Sequence, residues 1–391
     1  MLRFLTAGES HGKGLTGILE GIPSGLALSA SHIDAELKRR QKGYGRGGRM
    51  KIESDSAEIL SGVRWGKTTG APISLFIRNR DWENWKEGMS PDEKDALSIP
   101  PVTRPRPGHA DLAGALKYNE KDIRNILERS SARETAMRAA LGAVAKKFLL
   151  EFGIEIGSFV LQIGTVEAGL SGEHSEKKLH HLFKKAERSD LRCPESKTGE
   201  EMKLEIDRAM KSGDSLGGRF VVFATGLPPG LGSHIQWDRR LGGLLAQALM
   251  SIQAIKAVEV GFGTRLASMR GSQAMDEIFY ELKEKKFTRK TNRMGGIEGG
   301  MTNGMPVVLS AVMKPIPTLK KPLRSADILT KEPFKAAYER SDVCAVPAAS
   351  VVGEGMTALV LAGAFLEKFG GDSLGETGRN YNSYRQYLAS F

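Results

Sequence analysis

Cysteine is almost missing from this chain: Cys193 and Cys344 are the only two in 391 residues, and neither stands at the short cysteine and histidine spacings that hold a structural zinc. A disulfide framework is thereby excluded, no metal is expected, and the composition fits a reduced, cytosolic (cytoplasmic) protein. Long apolar runs are lacking too. No stretch approaches the ~18 apolar residues of a spanning helix, and the first segment, MLRFLTAGESHG, turns polar too early for a signal peptide, so the chain reads as soluble with no membrane partner. Aromatic residues make up only 7%, and the one arginine–glycine string, RRQKGYGRGGR at 39–49, is neither repeated nor set in a disordered tract, which argues against a nucleic-acid binding module. Acid is the scarcer charge: 46 Asp and Glu stand against 57 Lys and Arg, a formal +11 that favours anionic partners without choosing among them.

The length allows two domains, and the polar stretch RSDLRCPESKTGEEM, near 190–215, is where a boundary would fall. Because the same reactive residue types occur on both sides of it, one interwoven domain over 1–391 is expected. Short β-branched and apolar segments predict strands at 17–20, 52–54, 73–78, 156–167, 219–225, 257–260 and 306–313. Helical periodicity is clearest at 31–41, 121–152, 176–187, 239–255 and 355–368, the second being the longest and most apolar. Ser31, with Asp34 and Glu36 behind it, reads as a capped start with acids in the first turn. Between 79 and 109 there is no periodicity, only two tryptophans and many prolines, which predicts an ordered loop or arm; a loop of that length usually has a job.

Several stretches carry chemistry. GESHGKG at 8–14 sets His11 between glycines, which leave the imidazole uncovered and let a ligand come close. RPGHADLAG at 106–114 repeats the theme with His109, next to Asp111, and two histidines so placed suggest a pair of acid/base groups. ERSSARET at 128–135 interrupts the apolar face of the long helix with Ser130 and Ser131 between Arg129 and Arg133. It is either a site for a phosphate or heterocycle or a solvated face with i,i+4 ion pairs. The glycine loop GGIEGGMTNGMP at 295–306 precedes an apolar strand and KPIPT at 314–318 follows it, without matching either the dinucleotide or the nucleoside triphosphate fingerprint. ERSDVCAVPA at 339–348 offers Arg340 and Asp342, an anion clamp beside a carboxylate or a surface pair.

Taken together, GESHGKGL, YGRGGR, RPGHAD, ERSSARET, GGIEGG, KPIPT and ERSDVCAVPA stand in the order and approximate spacing of chorismate synthase, a resemblance that runs from residue 6 to about 365. The resemblance implies an α/β fold of the α+β type, with helices sandwiched between antiparallel sheets, and a homotetramer. It implies a flavin-dependent lyase of the shikimate pathway that converts 5-enolpyruvylshikimate 3-phosphate to chorismate and phosphate with reduced FMN and no net redox change. By motif, His11, His109 and Asp342 would be catalytic. Arg40, Arg46, Arg49, Arg133 and Arg340 would hold the substrate, and Arg129, Ser130, Ser131, Gln253, Ala254, Gly299, Lys314, Pro315, Ile316, Pro317, Thr318 and Arg340 would hold FMN. Some relatives reduce their own flavin with NADPH at the arginine loop, here Arg40 and Arg46, and others rely on a separate flavin reductase; both remain open. The residues suit such a substrate, which carries two carboxylates and a phosphate, roughly −4 near neutrality, and whose oxygens arginine meets with a planar fork. A flavin oxidoreductase would need the cofactor but not so many arginines.

Overall fold

Strand formation follows alternation. In the computed structural model, which describes residues 2–46, 54–96, 98–170, 175–283, 285–336 and 342–391, Ile73–Arg78 buries Ile73, Leu75 and Ile77 completely and turns Ser74 and Phe76 outward. It is an inner strand of a four-stranded antiparallel sheet in the order Arg3–Ala7, Gly14–Glu20, Ile73–Arg78, Ala57–Ser61. A second, five-stranded antiparallel sheet runs Ile255–Val260, Val307–Met313, Gly218–Thr225, Glu155–Ile163, Val166–Glu167. Two of its strands, Gly218–Thr225 and Glu155–Ile163, are buried on both faces and so read as near-continuous apolar runs. One face meets the helix Val346–Phe369; on the other, Leu179 and Leu182 of the amphipathic helix Glu176–Ala186 pack on Phe159, Val221 and Phe223.

The helices Thr135–Leu150 and Val346–Phe369 lie between the two sheets, and glycine sits at each layer boundary. A Cβ on Gly17 of the first sheet would come within 2.5 Å of Met137 Sδ. One on Gly142 would come within 2.3 Å of the Gly355 Cα, and one on Gly353 within 2.9 Å of the Phe220 ring. The result is the expected α+β sandwich, helices between antiparallel sheets. Its core includes residues from Leu15 to Tyr381.

A buried charge cluster ties the layers together. Glu354, with no exposed surface, accepts from both terminal nitrogens of Arg39 at 2.7 Å, from Lys146 at 2.7 Å, from Ser158 at 2.6 Å and from Arg192 at 3.0 Å. Glu36 and Glu187 share Arg39, so three acids face three bases. Burial pushes the Glu354 carboxyl up, but Arg39, Lys146 and Arg192 outweigh it and hold the group well below the usual carboxylate range.

Several sequence expectations are corrected. The 31–41 helix is Ala30–Gln41, and its cap is Ser29, extended at φ −134°, while no acid occupies the first turn. Asp34 instead accepts from the Ala57 amide, and Glu36 joins the buried charges. The 121–152 helix is three pieces, Arg124–Ser130, the 3₁₀ turn Ala132–Glu134 and Thr135–Leu150, because Ser131 is extended and its hydroxyl accepts from the Arg133 amide. The 156–167 strand folds back at Gly164 into Glu155–Ile163 and Val166–Glu167. The 239–255 helix is only Leu241–Met250, since Ala254 is left-handed at φ +67° and Ile255 opens a strand. The 355–368 helix begins earlier, at Val346, with Pro347 in its first turn, where a missing N–H costs nothing. That helix is apolar and long enough to cross a membrane, contrary to the sequence reading, yet 83% of its apolar window is buried inside the protein. Residues 52 and 53 lie outside the described residues, and the strand there is Ala57–Ser61. The helices Asp111–Tyr118, Ser196–Ser212 and Leu374–Ser390 went unpredicted, the first because it is only eight residues long and the other two because they are largely polar; Ser196–Ser212 occupies the supposed boundary, its Met202 and Ile206 in the same core as Leu15. Among its described residues, segment 79–109 carries two short 3₁₀ turns, Arg80–Asn84 and Glu93–Asp95, and no strand.

Gly142→Ala should cost about 1–3 kcal/mol in urea unfolding, because backbone rather than a movable side-chain tip stands in the way. Glu354→Gln should cost about 3–5 kcal/mol by leaving three bases undercompensated. The stability Glu354 contributes is present above the unfolded carboxyl pKa of about 4.3 and is lost as pH falls below it. The variant's unfolding midpoint should therefore depend less on pH between about 5 and 3 than that of the parent chain.

Candidate active site

Register places several of the expected residues at one end of the first sheet. Gly14 pairs with Arg78, Ala7 with Thr16 and Ala57 with Ile77, so the loop 8–13, Asn79 and Asp55 all emerge from the same edge. Buried Asn79 donates to the Glu9 and Gly12 carbonyls, 3.1 and 2.7 Å away, which fixes the loop carrying His11. Its side-chain oxygen accepts from Arg133 Nε at 2.9 Å.

Three arginines converge there. Arg133 Nη1 meets Asp55 at 2.6 Å, and Arg40, from the last turn of Ala30–Gln41, lies 3.5 Å from the same carboxylate while donating to Thr135 and the Ala132 carbonyl. Arg46 Nε pairs with Asp342 at 3.0 Å. Burial, with the charges of Arg46 and Arg133, pushes the Arg40 guanidinium down to about 10, against the opposing pull of Asp55; it is still a cation at neutral pH. Three guanidinium groups thus face the carboxylates of Asp55 and Asp342.

Both histidines are held at Nδ1 by a buried carboxylate. His11 Nδ1 lies 2.8 Å from Glu128 Oε1, and the ring stacks on Trp85 with centroids 4.2 Å apart. His109 Nδ1 pairs with Asp111, which also accepts from Arg106 Nε at 2.9 Å, while Arg106 Nη1 reaches the Thr318 hydroxyl at 3.0 Å. Burial pushes the Asp111 carboxyl up, but hydrogen bonds from His109 and Arg106 and their charges hold it at about 2.

A chain of contacts joins the remaining residues. Arg129 donates to the Gly8 and Thr6 carbonyls; the Thr6 hydroxyl donates to Glu134 at 2.7 Å, and Gln253 donates to the same carboxylate at 3.1 Å. The Ala254 carbonyl accepts from the Lys314 amide at 2.9 Å, and Lys314 Nζ donates to the Gly108 carbonyl beside His109. Ile316, between Pro315 and Pro317, accepts from Ser215 at 2.6 Å. Ser130 returns its hydroxyl to Ile126 of its own helix, and Ser131 caps the turn of Arg133. Gly299 stands apart from these groups, next to His234. Arg49 and Arg340 lie outside the described residues.

Asp55, Asn79, Glu128, Trp85 and Arg106 complete these groups, and sequence reasoning did not assign them. Glu128 and Arg106 stand inside quoted motifs, but nothing in their spacing says which histidine they meet. A cavity of about 1090 Å³ lies elsewhere, between the hairpin 278–289 and the C-terminal helix, lined by Phe287, Arg289, Tyr384 and Tyr387 among others and by none of the residues above.

The contribution of Asp111 to stability is present above its unfolded pKa of about 3.9 and lost as pH falls through 2. Asp111→Asn should flatten the pH dependence of the urea midpoint between about 4 and 2, and an unchanged slope would mean that the ionised form is not favoured by folding.

Known proteins match this chain throughout. Residues 2–366 fit the family described as chorismate synthase. The chorismate synthase of Aquifex aeolicus is 61% identical over 394 residues, covering 100% of this chain and 99% of the relative. That of Geobacter sulfurreducens is 57% identical, with 100% of both chains covered. A solved structure described as a crystal structure of chorismate synthase superposes with a TM-score of 0.82 at 51% identity over 100% of this chain and 99% of its own. With a family match across nearly its whole length and relatives so similar end to end, the chain belongs to the chorismate synthase family.

Proposed function

We propose that this chain converts 5-enolpyruvylshikimate 3-phosphate to chorismate and inorganic phosphate by anti-1,4-elimination, with reduced FMN and no net redox change. The observation that carries the reading is the clustering of buried guanidinium groups at the sheet edge, Arg40, Arg46 and Arg133 with Asp55 and Asp342 among the described residues, next to the loop of His11. Fixed guanidinium groups in a low-dielectric setting favour a multiply charged anion, and a substrate of roughly −4 has that character. Arg49 and Arg340 are assigned to the same task by motif.

The donors on the second group fit FMN. Lys314, Arg129, Gln253 and Ser131 are cations, amide and hydroxyl of the kind a phosphate tail and a ring edged with oxygen and nitrogen require, and burial beside Lys256 pushes the Lys314 ammonium down. At Gly108 a Cβ would come within 3.4 Å of Lys314 Nζ and narrow that approach. When bound, reduced FMN supplies the transient electron density that lets phosphate leave and takes up the ring hydrogen. The chain's own groups do the rest. His11 delivers a proton to the departing phosphate, and His109, oriented by Asp111, holds a proton beside the cofactor. By motif, Asp342 would take back the proton that the cofactor gains when the ring hydrogen is transferred. Ser130, Ala254, Gly299 and the backbone of 314–318 complete the cofactor set by motif.

Anaerobic assay with dithionite-reduced FMN should show phosphate release without stoichiometric flavin oxidation; consumption of one reduced flavin per turnover would instead make the chain an oxidoreductase. His11→Ala and His109→Ala should each slow turnover by about 10²–10⁴-fold with modest effect on FMN binding. Arg46→Ala should raise KM about 10–100-fold, the equivalent of one charged hydrogen bond.

We also read the chain as one interwoven catalytic unit that assembles as a homotetramer. Supporting this, the hairpin 278–289 exposes Ile278, Leu282 and Phe287, a surface apolar enough to seek cover. Light scattering should return four times the 42.5 kDa of one chain, and a mass of 42.5 kDa would refute the assembly.

A further inference from the structure

We infer that Glu128 and Trp85 are positioning residues that hold the imidazole of His11 in one tautomer and one orientation for proton transfer. The inference rests on the reading of His11 given above and deepens it. Glu128 belongs to the helix Arg124–Ser130, and its side chain is 3% exposed. It grips the loop of His11 three times. Its main-chain carbonyl accepts from the Ser10 amide at 3.1 Å, its Oε2 from the His11 amide at 2.7 Å, and its Oε1 meets the His11 ring at Nδ1, 2.8 Å away. A carboxylate only accepts, so the Nδ1 position carries the proton of this pair, and Nε2 is the nitrogen through which the ring would exchange a proton with a ligand. With its ring nitrogen and its amide bound to the two oxygens of one rigid group, the side chain cannot turn without breaking a charge-assisted bond.

Trp85 removes the remaining freedom. Its ring lies 4.2 Å from the imidazole at an interplanar angle of 29°, a stacked arrangement. The indole is itself fixed: Nε1 donates to Asp81 at 3.2 Å, and the Arg124 guanidinium lies 5.1 Å from the ring centroid. Arg124 opens the helix that carries Glu128, so the clamp closes on itself. The part of segment 79–109 ahead of RPGHAD, for which motif comparison offers no role, thus acquires one. Its first turn lays a flat apolar surface against the acid/base group and limits water at that face, while Asn79 just before it secures the loop. A group held within a narrow range of angles transfers a proton faster than one that must first be oriented.

Glu128→Gln tests the tautomer. Glutamine keeps the volume but has a single side-chain oxygen, so either the His11 amide or Nδ1 must face an amide N–H. Expected are a kcat about 100-fold lower, a KM within about threefold of the parent, unchanged FMN binding, and an imidazole ¹⁵N spectrum in which the His11 signals, identified by their loss in His11→Asn, report a changed tautomer population. Because Glu128 acts through His11, the double variant should be no slower than His11→Asn alone. Trp85→Leu should lower kcat about tenfold, and Trp85→Phe, which keeps a stacking face, should recover most of it; these two decide the matter if Glu128→Gln does not fold. Parent-like kcat in a folded Glu128→Gln, effects that multiply with His11→Asn, or Trp85→Phe as slow as Trp85→Leu would overturn the inference while leaving the proposed reaction standing. Full turnover in His11→Asn would instead remove the acid/base reading, and the positioning role with it.

Discussion

The arrangement depends on how closely Thr135–Leu150 and Val346–Phe369 approach. Where Gly142 meets the Gly355 Cα there is no room for even one methyl group, and the layers on either side close in the same manner at Gly17 and Gly353. Packing so near leaves no space for a side chain where Gly142 meets Gly355, so the energy of that contact comes from many small dispersion terms between backbones and flanking alanines. It also brings the N-terminal third of the chain and residues beyond 340 within reach of each other. Asp342, a few residues ahead of the core helix, meets Arg46 only because of it.

A second constraint follows from where Glu354 sits, between Gly353 and Gly355 at the centre of that interface. An apolar residue there would pack; a carboxylate there demands partners, and it draws Arg39, Lys146 and Arg192 from three different elements. The geometry of adjacent helical residues then matters. With Arg39 committed to Glu354 and Glu187, its neighbour Arg40 points to a different side, toward Asp55 and Thr135 at the sheet edge. One buried acid therefore orients the end of the helix Ala30–Gln41 from which Arg40 projects. The buried network matches three acids to three bases, whereas the group beside it, among the described residues, sets Arg40, Arg46 and Arg133 against Asp55 and Asp342.

The two histidines show the same division of labour at smaller scale. Each leaves a glycine-containing turn, and each has Nδ1 committed to a buried acid, Glu128 for His11 and Asp111 for His109. Asp111 is two residues from its partner, Glu128 more than a hundred. The first pairing could be guessed from RPGHAD; the second required the helix break at Ser131, which the periodicity of 121–152 concealed.

What the order of residues settled alone is whatever depends on local patterning. Alternation and β-branching placed Ile73–Arg78, Gly218–Thr225, Ile255–Val260 and Val307–Met313 within a residue or two but missed Arg3–Ala7, periodicity found the helices that bury a continuous apolar face, and the run of separated motifs identified the family. Ser196–Ser212 escaped because its buried stripe, Gly199, Met202, Ile206 and Ala209, is narrow and set in an otherwise polar sequence. Packing alone decided which charges are neighbours. Asp55 became the partner of Arg133, Trp85 the cover of His11 and Glu354 the anchor of Arg39, because electrostatic and stacking energies depend on distances of a few ångströms that no spacing along the chain encodes.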